Sequence, residues 1–215
     1  LEVHAYSDYA PNGLQVEGRA TISRLMTGVT ACRALLEEAV QWHADAVLVH
    51  HGYFWRGEDA AVIGMKRRRL KLLLDNDINL FAYHLPLDGH AELGNNVQLA
   101  RRLGIDVSGR LEGGEGPSLV FYGGIDPPVS AAAFAARLTD ALGRQALLIS
   151  AGDAPIRTVG WCTGAAQGMI ELAATAGLDA YISGEISEPT VHAARELGIH
   201  YFAAGHHATE RGGVE

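Results

Sequence analysis

The sequence predicts an α/β protein made of duplicated βαβαβ half-domains that share one site. Three observations carry this. Apolar runs of strand length alternate with segments of helical period along most of the chain. A pattern in the first third recurs in the last third. Imidazoles and carboxylates collect at the carboxyl ends of several predicted strands, where open α/β sheets place function.

The elements follow in order. Ile22 to Val29 reads as a strand, and Cys32 to His43 as a helix with Leu35, Leu36, Ala39 and Val40 facing inward. Ala46-Val47-Leu48-Val49 is a continuous apolar run, the pattern of a strand buried on both faces. Met65 to Leu74 reads as a helix with a basic side, Ile78 to Tyr83 as a strand, and Asn95 to Leu103 as a helix closed by Gly104. Ile105 to Val129 is rich in Gly and Pro, with a β-like patch at Leu119 to Tyr122. Ala131 to Leu142 is an Ala-rich helix. The last third then repeats the first: Arg24-Leu-Met-Thr-Gly-Val-Thr, a helix and Asp45-Ala46 match Arg157-Thr-Val-Gly-Trp-Cys-Thr, a helix and Asp179-Ala180. Each copy continues through a helix into a strand, Ile78 to His84 and Ile199 to His206. The expected organisation is a first half over 1–104, a linker or insertion over 105–130, and a second half over 131–215.

Composition excludes several classes. With 17 Lys plus Arg against 25 Asp plus Glu, the net charge of -8 disfavours a partner held by general electrostatics, such as nucleic acid. The 48% apolar and 20% charged content is that of a globule and not of a disordered chain. The two cysteines, Cys32 and Cys162, form no CxxC and indicate neither a disulfide scaffold nor a zinc ribbon. No apolar run approaches a membrane span, and the start has no signal-peptide pattern, so a cytoplasmic protein is expected. The first residue is not Met, and the last ones, Gly212-Gly213-Val214-Glu215, interrupt what reads as a helix, so missing termini are expected, with a truncated C-terminus.

Ten histidines, several clustered, carry the chemistry. The strand 46–49 runs into His50-His51-Gly52, and the strand 78–83 into His84-Leu-Pro-Leu-Asp88. In the second copy the strand ends are Gly184-Glu185 and Gly205-His206-His207-Ala-Thr-Glu210. Adjacent histidines on an extended segment point in opposite directions, so His50 and His51 cannot easily chelate one ion, though a twist at the strand end would let them serve two. Alone, such a pair is more often incidental than ligating. His206 and Glu210, at i and i+4, share the face of a first helical turn. Asp88 follows a Pro-containing turn and reads equally as a cap. Five candidate ligands from both copies exceed what one open catalytic ion takes, and imidazole with carboxylate suits Zn, Fe, Mn or Ni. Two divalent ions with a bridging carboxylate fit better, which is hydrolytic chemistry. The fold class becomes α/β, with duplicated βαβαβ half-domains sharing a central dinuclear metal site.

These residues, with Gly94-Asn95-Asn96 and the opening Ser7-Asp8-Tyr9-Ala10-Pro11-Asn12-Gly13-Leu14-Gln15-Val16, resemble the GTP cyclohydrolase 1 type 2 homologue family, also called the NGG1p-interacting-factor-like family. The resemblance runs from about residue 7 to the end. It implies a two-metal site and a toroidal homohexamer. His51 and Asp88 would bind one ion, His50 and His206 the other, and Glu210 would bridge them. It also implies opening of the guanine ring of GTP at C8, with His84 or Glu185 moving protons as the catalytic groups.

Other residues read less sharply. His84 suits an outer partner of a metal ligand or a proton shuttle, and Glu185 a general base or a turn carboxylate. Tyr53-Phe54-Trp55 can offer at most one or two rings to a purine or pterin, with core packing as the plainer reading. The basic run Lys66 to Lys71 reads as a solvated helix face before a phosphate site, His192 as a surface histidine, and Arg211 as a phosphate or carboxylate partner. The leading function is a dinuclear-metal-dependent hydrolase of a small nucleotide-like substrate. The alternative is a non-enzymatic, metal-binding hexameric scaffold or metal-delivery protein. No Gly-x-x-x-x-Gly-Lys-Ser/Thr loop is present, which excludes Walker-type nucleotide binding.

Overall fold

The computed structural model describes residues 1–112 and 116–215; of the Gly/Pro-rich middle expected over 105–130, residues 113–115 lie outside the described residues. The chain forms two compact units, Leu1–Leu87 with Gly213–Glu215, and Asp88–Gly212.

The first unit carries a four-stranded sheet in the order β1-β4-β3-β2. Its strands are β1 (Gly13–Val16), β2 (Leu25–Thr30), β3 (Ala46–His51) and β4 (Asn79–Ala82). β2, β3 and β4 run parallel, and β1 closes the edge antiparallel to β4. The crossovers are α1 (Arg33–Gln41) and α2 (Gly64–Asp75), as helical periodicity predicts. Leu36 and Ala39 of α1 and Leu70 and Leu73 of α2 pack with Val47, Val49, Leu80 and Ala82 in one core. Full burial of each such leucine contributes about 1.5–3 kcal/mol. The opposite strand positions, Leu48 and Val29, form a smaller cluster with Leu87 and Val214, which places 213–215 in this unit. After β4 the chain turns through the short α3 (Leu85–Gly89).

The second unit carries a six-stranded sheet in the order β5-β6-β8-β9-β10-β7. Its strands are β5 (Asp106–Arg110), β6 (Phe121–Val129), β7 (Leu147–Ile149), β8 (Ile156–Trp161), β9 (Ala180–Ser183) and β10 (His200–Ala203). Alternation along the strands fills both faces. Ala180, Ile182 and Phe202 meet α4 (Asn95–Leu103) and α5 (Ala131–Leu142), whereas Tyr181 and Tyr201 meet α6 (Ile170–Thr175) and α7 (Glu188–Leu197). α4 and α5 begin and end where the sequence predicts, with Gly104 in the left-handed region at φ 55° closing α4. α4 buries Val97, Leu99, Ala100 and Leu103 in the core of this unit. The described part of 105–130 enters the same sheet as β5 and β6.

Within each unit an antiparallel edge strand precedes three parallel strands, and the spatial orders β1-β4-β3-β2 and β7-β10-β9-β8 correspond. The Asp of the repeated pattern does one job in both. Asp45 Oδ2 accepts from the backbone N–H groups of Ser23 and Arg24, and Asp179 Oδ2 from those of Arg157 and Thr158. Each aspartate thus clips the start of the neighbouring strand. The two backbone bonds lower the pKa of Asp45.

Candidate functional site

In the first unit β3 delivers His50 and His51 at its carboxyl end, and β4 leads directly to His84. Their ring centroids lie 4.5 Å (His50–His51), 5.1 Å (His50–His84) and 5.7 Å (His51–His84) apart. One ligand atom from each lies within 4.8 Å of the others, close enough to hold a metal ion. The alternation of an ideal strand predicts that His50 and His51 diverge. Their rings nonetheless stand 4.5 Å apart, although both residues belong to β3.

The protons on these rings are set from behind. His50, fully buried, places Nδ1 2.9 Å from the Tyr83 carbonyl oxygen. His84 places Nδ1 2.6 Å from Asp8 Oδ1. Both partners can only accept, so Nδ1 carries the proton, and in the neutral ring Nε2 carries the lone pair. His51 Nδ1 lies 3.2 Å from Thr30 Oγ1, a hydroxyl that suits either tautomer. Burial works to raise the Asp8 pKa, but the bonds from His84 and Asn12 outweigh it and bring it down to about 2.

One aromatic of the three after the His pair reaches this cluster. Trp55 stands edge-on to His84 with centroids 5.0 Å apart, and its indole N–H donates to the Gly52 carbonyl. Tyr53 turns into the core and donates its hydroxyl to the Ala31 carbonyl at 2.7 Å. Phe54 sits at φ 64°, beneath Lys66.

In the second unit α8 (His206–Thr209) begins right after β10, and its single turn sets His206 Nε2 3.2 Å from Glu210 Oε2. The i, i+4 spacing read from the sequence therefore does bring these groups together. His206 Nδ1 lies 2.6 Å from Glu185 Oε1, so Glu185, at the end of β9, holds the outer nitrogen of this imidazole. The hydrogen bond to Glu210, opposed by burial and helped by Glu185, raises the His206 pKa to about 9.

Asp88 and Glu210 are 5% and 2% exposed, and carboxylate oxygens of the two lie within 4.8 Å of each other. Asp88 Oδ1 accepts from Asn95 Nδ2 at 2.8 Å and Thr163 Oγ1 at 3.1 Å, while Asn96 Nδ2 donates to the Asp88 carbonyl. The Cys162 thiol is pushed up by burial and then by the charges of Asp88 and Glu210. Gly164 completes the cradle: a Cβ there would stand 2.1 Å from Glu210 Oε1 and 3.3 Å from His206 Nε2. Buried carboxylates, an imidazole and a glycine that leaves them room form a donor set that fits a divalent cation.

Asp8, Asn12, Thr30, Asn95, Asn96, Thr163 and Gly164 carry this geometry without having been singled out by residue chemistry in the sequence. Asp8, Asn12, Asn95 and Asn96 do lie inside the motifs that carried the family resemblance. The remaining candidates take plainer places. His192 is exposed beside Glu188, Lys66 pairs with Glu58 and Lys71 with Asp75, and Arg211 donates to the Leu142 carbonyl.

A family model described as Duf34/NIF3 (NGG1p interacting factor 3) matches residues 1–215. The chain belongs to this family. It is 60% identical over 215 residues to a Pseudomonas aeruginosa protein named GTP cyclohydrolase 1 type 2 homolog, covering 100% of this chain and 85% of that one. The solved structure of a protein called ybgI, of unknown function, superimposes with a TM-score of 0.94 at 55% identity, over 99% of this chain and 84% of that one. A crystal structure from Thermus thermophilus matches with a TM-score of 0.86 at 34% identity, over 97% and 82% of the two chains. Family membership and the mixed α/β fold agree with the sequence reading. Among the described residues of this family member no helix is long and apolar enough to cross a membrane.

Proposed function

We propose that the chain is a dinuclear-metal-dependent hydrolase of a small, nucleotide-like substrate, with GTP as the first to test. The observation that carries the reading is the pair of candidate ligands whose Nδ1 is engaged by an acceptor, His50 by the Tyr83 carbonyl and His206 by Glu185. Metal-binding histidines are oriented in this way, and the same bonds strengthen the Nε2 donor. The resemblance supports the ligand pairing: His51 and Asp88 on one divalent ion, His50 and His206 on the other, Glu210 bridging, with Zn, Fe, Mn or Ni as the metal. It also supports a cytoplasmic homohexamer.

Two divalent ions held there would activate a water near neutral pH and polarise the bond under attack. The chain's own groups do the rest. His84 takes and returns a proton at Nε2. Glu185 keeps His206 in register through Nδ1, a role that the 2.6 Å contact supports better than that of a free general base. Trp55 offers an apolar edge beside His84 that excludes water and faces a planar substrate. The corresponding strand orders and the twin clips of Asp45 and Asp179 support descent of the two parallel-strand sets from one duplicated βαβαβ unit.

The test is metal content by plasma mass spectrometry together with turnover of a nucleotide panel, for wild type, Glu210→Ala and His206→Ala. Two ions per chain and GTP turnover are expected in wild type, with both lost in the variants. Turnover that persists without metal, or in either variant, overturns the reading. Two bound ions with no turnover would favour the scaffold or metal-delivery role, and the mass by light scattering decides the hexamer.

A further inference from the structure

We infer that Asp8 is the positioning residue of His84, holding the imidazole proton on Nδ1 and so committing Nε2 to proton transfer. The catalytic half of this inference rests on the hydrolytic reading above; the tautomer does not.

The argument starts from how tightly Asp8 is itself held. Its side chain is 5% exposed, and both oxygens are engaged. Oδ1 lies 2.6 Å from His84 Nδ1 and accepts from the Tyr9 N–H, while Oδ2 accepts from the Leu85 N–H at 3.0 Å and Asn12 Nδ2 at 2.8 Å. Asn12 then closes the ring of bonds, because its Oδ1 accepts from the His84 backbone N–H at 2.7 Å. A carboxylate meant only to cap the turn after β4 would need Oδ2 and Leu85 alone. Here the second oxygen is spent on the imidazole, and Asn12 fixes the backbone that bears it.

An ionised carboxylate with four donors around it has no proton to give, so the shared proton belongs to His84 Nδ1. With Nδ1 held by Asp8, the nitrogen left for proton transfer is Nε2, on a ring whose centroid lies 5.1 Å from that of His50 and 5.7 Å from that of His51. The proton balance is simple. An O–H bond of the attacking water breaks as an Nε2–H bond forms, and Asp8 stabilises the resulting imidazolium without taking its proton. The water oxygen bonds to C8 and the C8–N bond breaks, the Nε2–H bond breaking as an N–H bond forms on the leaving nitrogen, while the water's second proton passes to the other former ring nitrogen. Trp55, edge-on to His84, keeps the ring from rotating out of this geometry.

Solid-state nitrogen NMR on protein labelled with 15N-histidine reads the tautomer directly, the His84 signal being the one absent from His84→Gln. The expected result is a protonated Nδ1 in wild type, and its loss or exchange with Nε2 in Asp8→Asn. Kinetically, Asp8→Asn should keep its bound metal and its KM while kcat falls about 10²–10⁴-fold, the range for losing an oriented acid–base group. A wild-type His84 without a proton on Nδ1 overturns the inference, whether or not the variant folds. So does an Asp8→Asn protein with kcat within about threefold of wild type, or one whose loss follows its loss of metal. If wild type turns over no nucleotide yet shows the Nδ1 proton, the hydrolase reading fails and the positioning role of Asp8 stands.

Discussion

Gly164→Ala offers a sharp test of the carboxylate cradle in the second unit. Gly164 sits at φ +70°, and an added Cβ would meet Glu210 Oε1 at 2.1 Å. Ordinary contact begins near 3.4 Å, so the carboxylate must retreat by more than an ångström. The backbone has little room to yield. Its N–H donates to Thr209 Oγ1, and its carbonyl accepts from the Gly184 N–H and Ser183 Oγ. The left-handed backbone alone costs an alanine about 1–2 kcal/mol. For a chain of this size that lowers Tm by about 2–8 °C. Gly177 isolates this contribution, since it sits at φ +73° with nothing within 4 Å of its added Cβ.

The two variants should therefore separate. Gly177→Ala should lose only the strain energy and bind zinc as wild type does. Gly164→Ala should melt lower still and lose about 10- to 100-fold in zinc affinity, the usual cost when a ligand's support is disturbed. Scanning calorimetry of the metal-free proteins and a competitive zinc chelator titration give both numbers. Equal melting and equal zinc affinity in the two variants would refute the reasoning, because Glu210 would then have room to spare.

Three further perturbations test the scaffold. Asp179→Ala removes the acceptor of the Arg157 N–H, the Thr158 N–H and the Thr158 hydroxyl, and should lower stability by about 1–2 kcal/mol in urea titration, with a loss below about 0.3 contradicting the clip. Tyr53→Phe strips the buried Ala31 carbonyl of its 2.7 Å donor and should cost about 1–2 kcal/mol without changing bound metal, which separates core packing from the site. The Asp8 pKa is depressed from 3.8 to about 2 in the folded chain, so its contribution is full above about pH 4 and is lost as pH falls toward 2. Wild type should therefore lose more stability across that interval than Asp8→Ala does, and parallel urea midpoints would contradict this.

What the sequence showed depended on how locally each feature was written. α4 and α5 were legible to the residue, α4 as an apolar helical period closed by Gly104 and α5 as a continuous alanine-rich run, because each signal lies within one short segment. β7 was not, since Leu147–Ile149 is a three-residue edge strand with no pattern long enough to read. β1 was seen only as a motif, because its pairing partner, β4, lies far along the chain. The imidazoles and carboxylates at strand ends were legible because each follows a continuous apolar run. Their orienting partners were not. Asp8 and His84 are 76 residues apart, and Glu185 and His206 are 21 apart, so no local pattern links them. The closeness of the His50 and His51 rings was not legible either, since ideal strand alternation points neighbouring side chains apart.

The repeat itself separates scaffold from chemistry. Asp45 and Asp179 recur because both units must start a parallel strand beside its neighbour, and a side-chain acceptor does this for two backbone donors at once. The strand ends do not recur. β3 ends on imidazoles, whereas β9 leads into Gly184 and Glu185, and the turn after β10 brings His206 and the buried Glu210. The first unit therefore presents mainly nitrogen donors at its strand ends, and the second presents carboxylates beside one imidazole. A strand end can change its side chain without disturbing the ladder behind it, so function is expected where the two units differ. The features that the two units share report the frame, and the chemistry is read where the units differ.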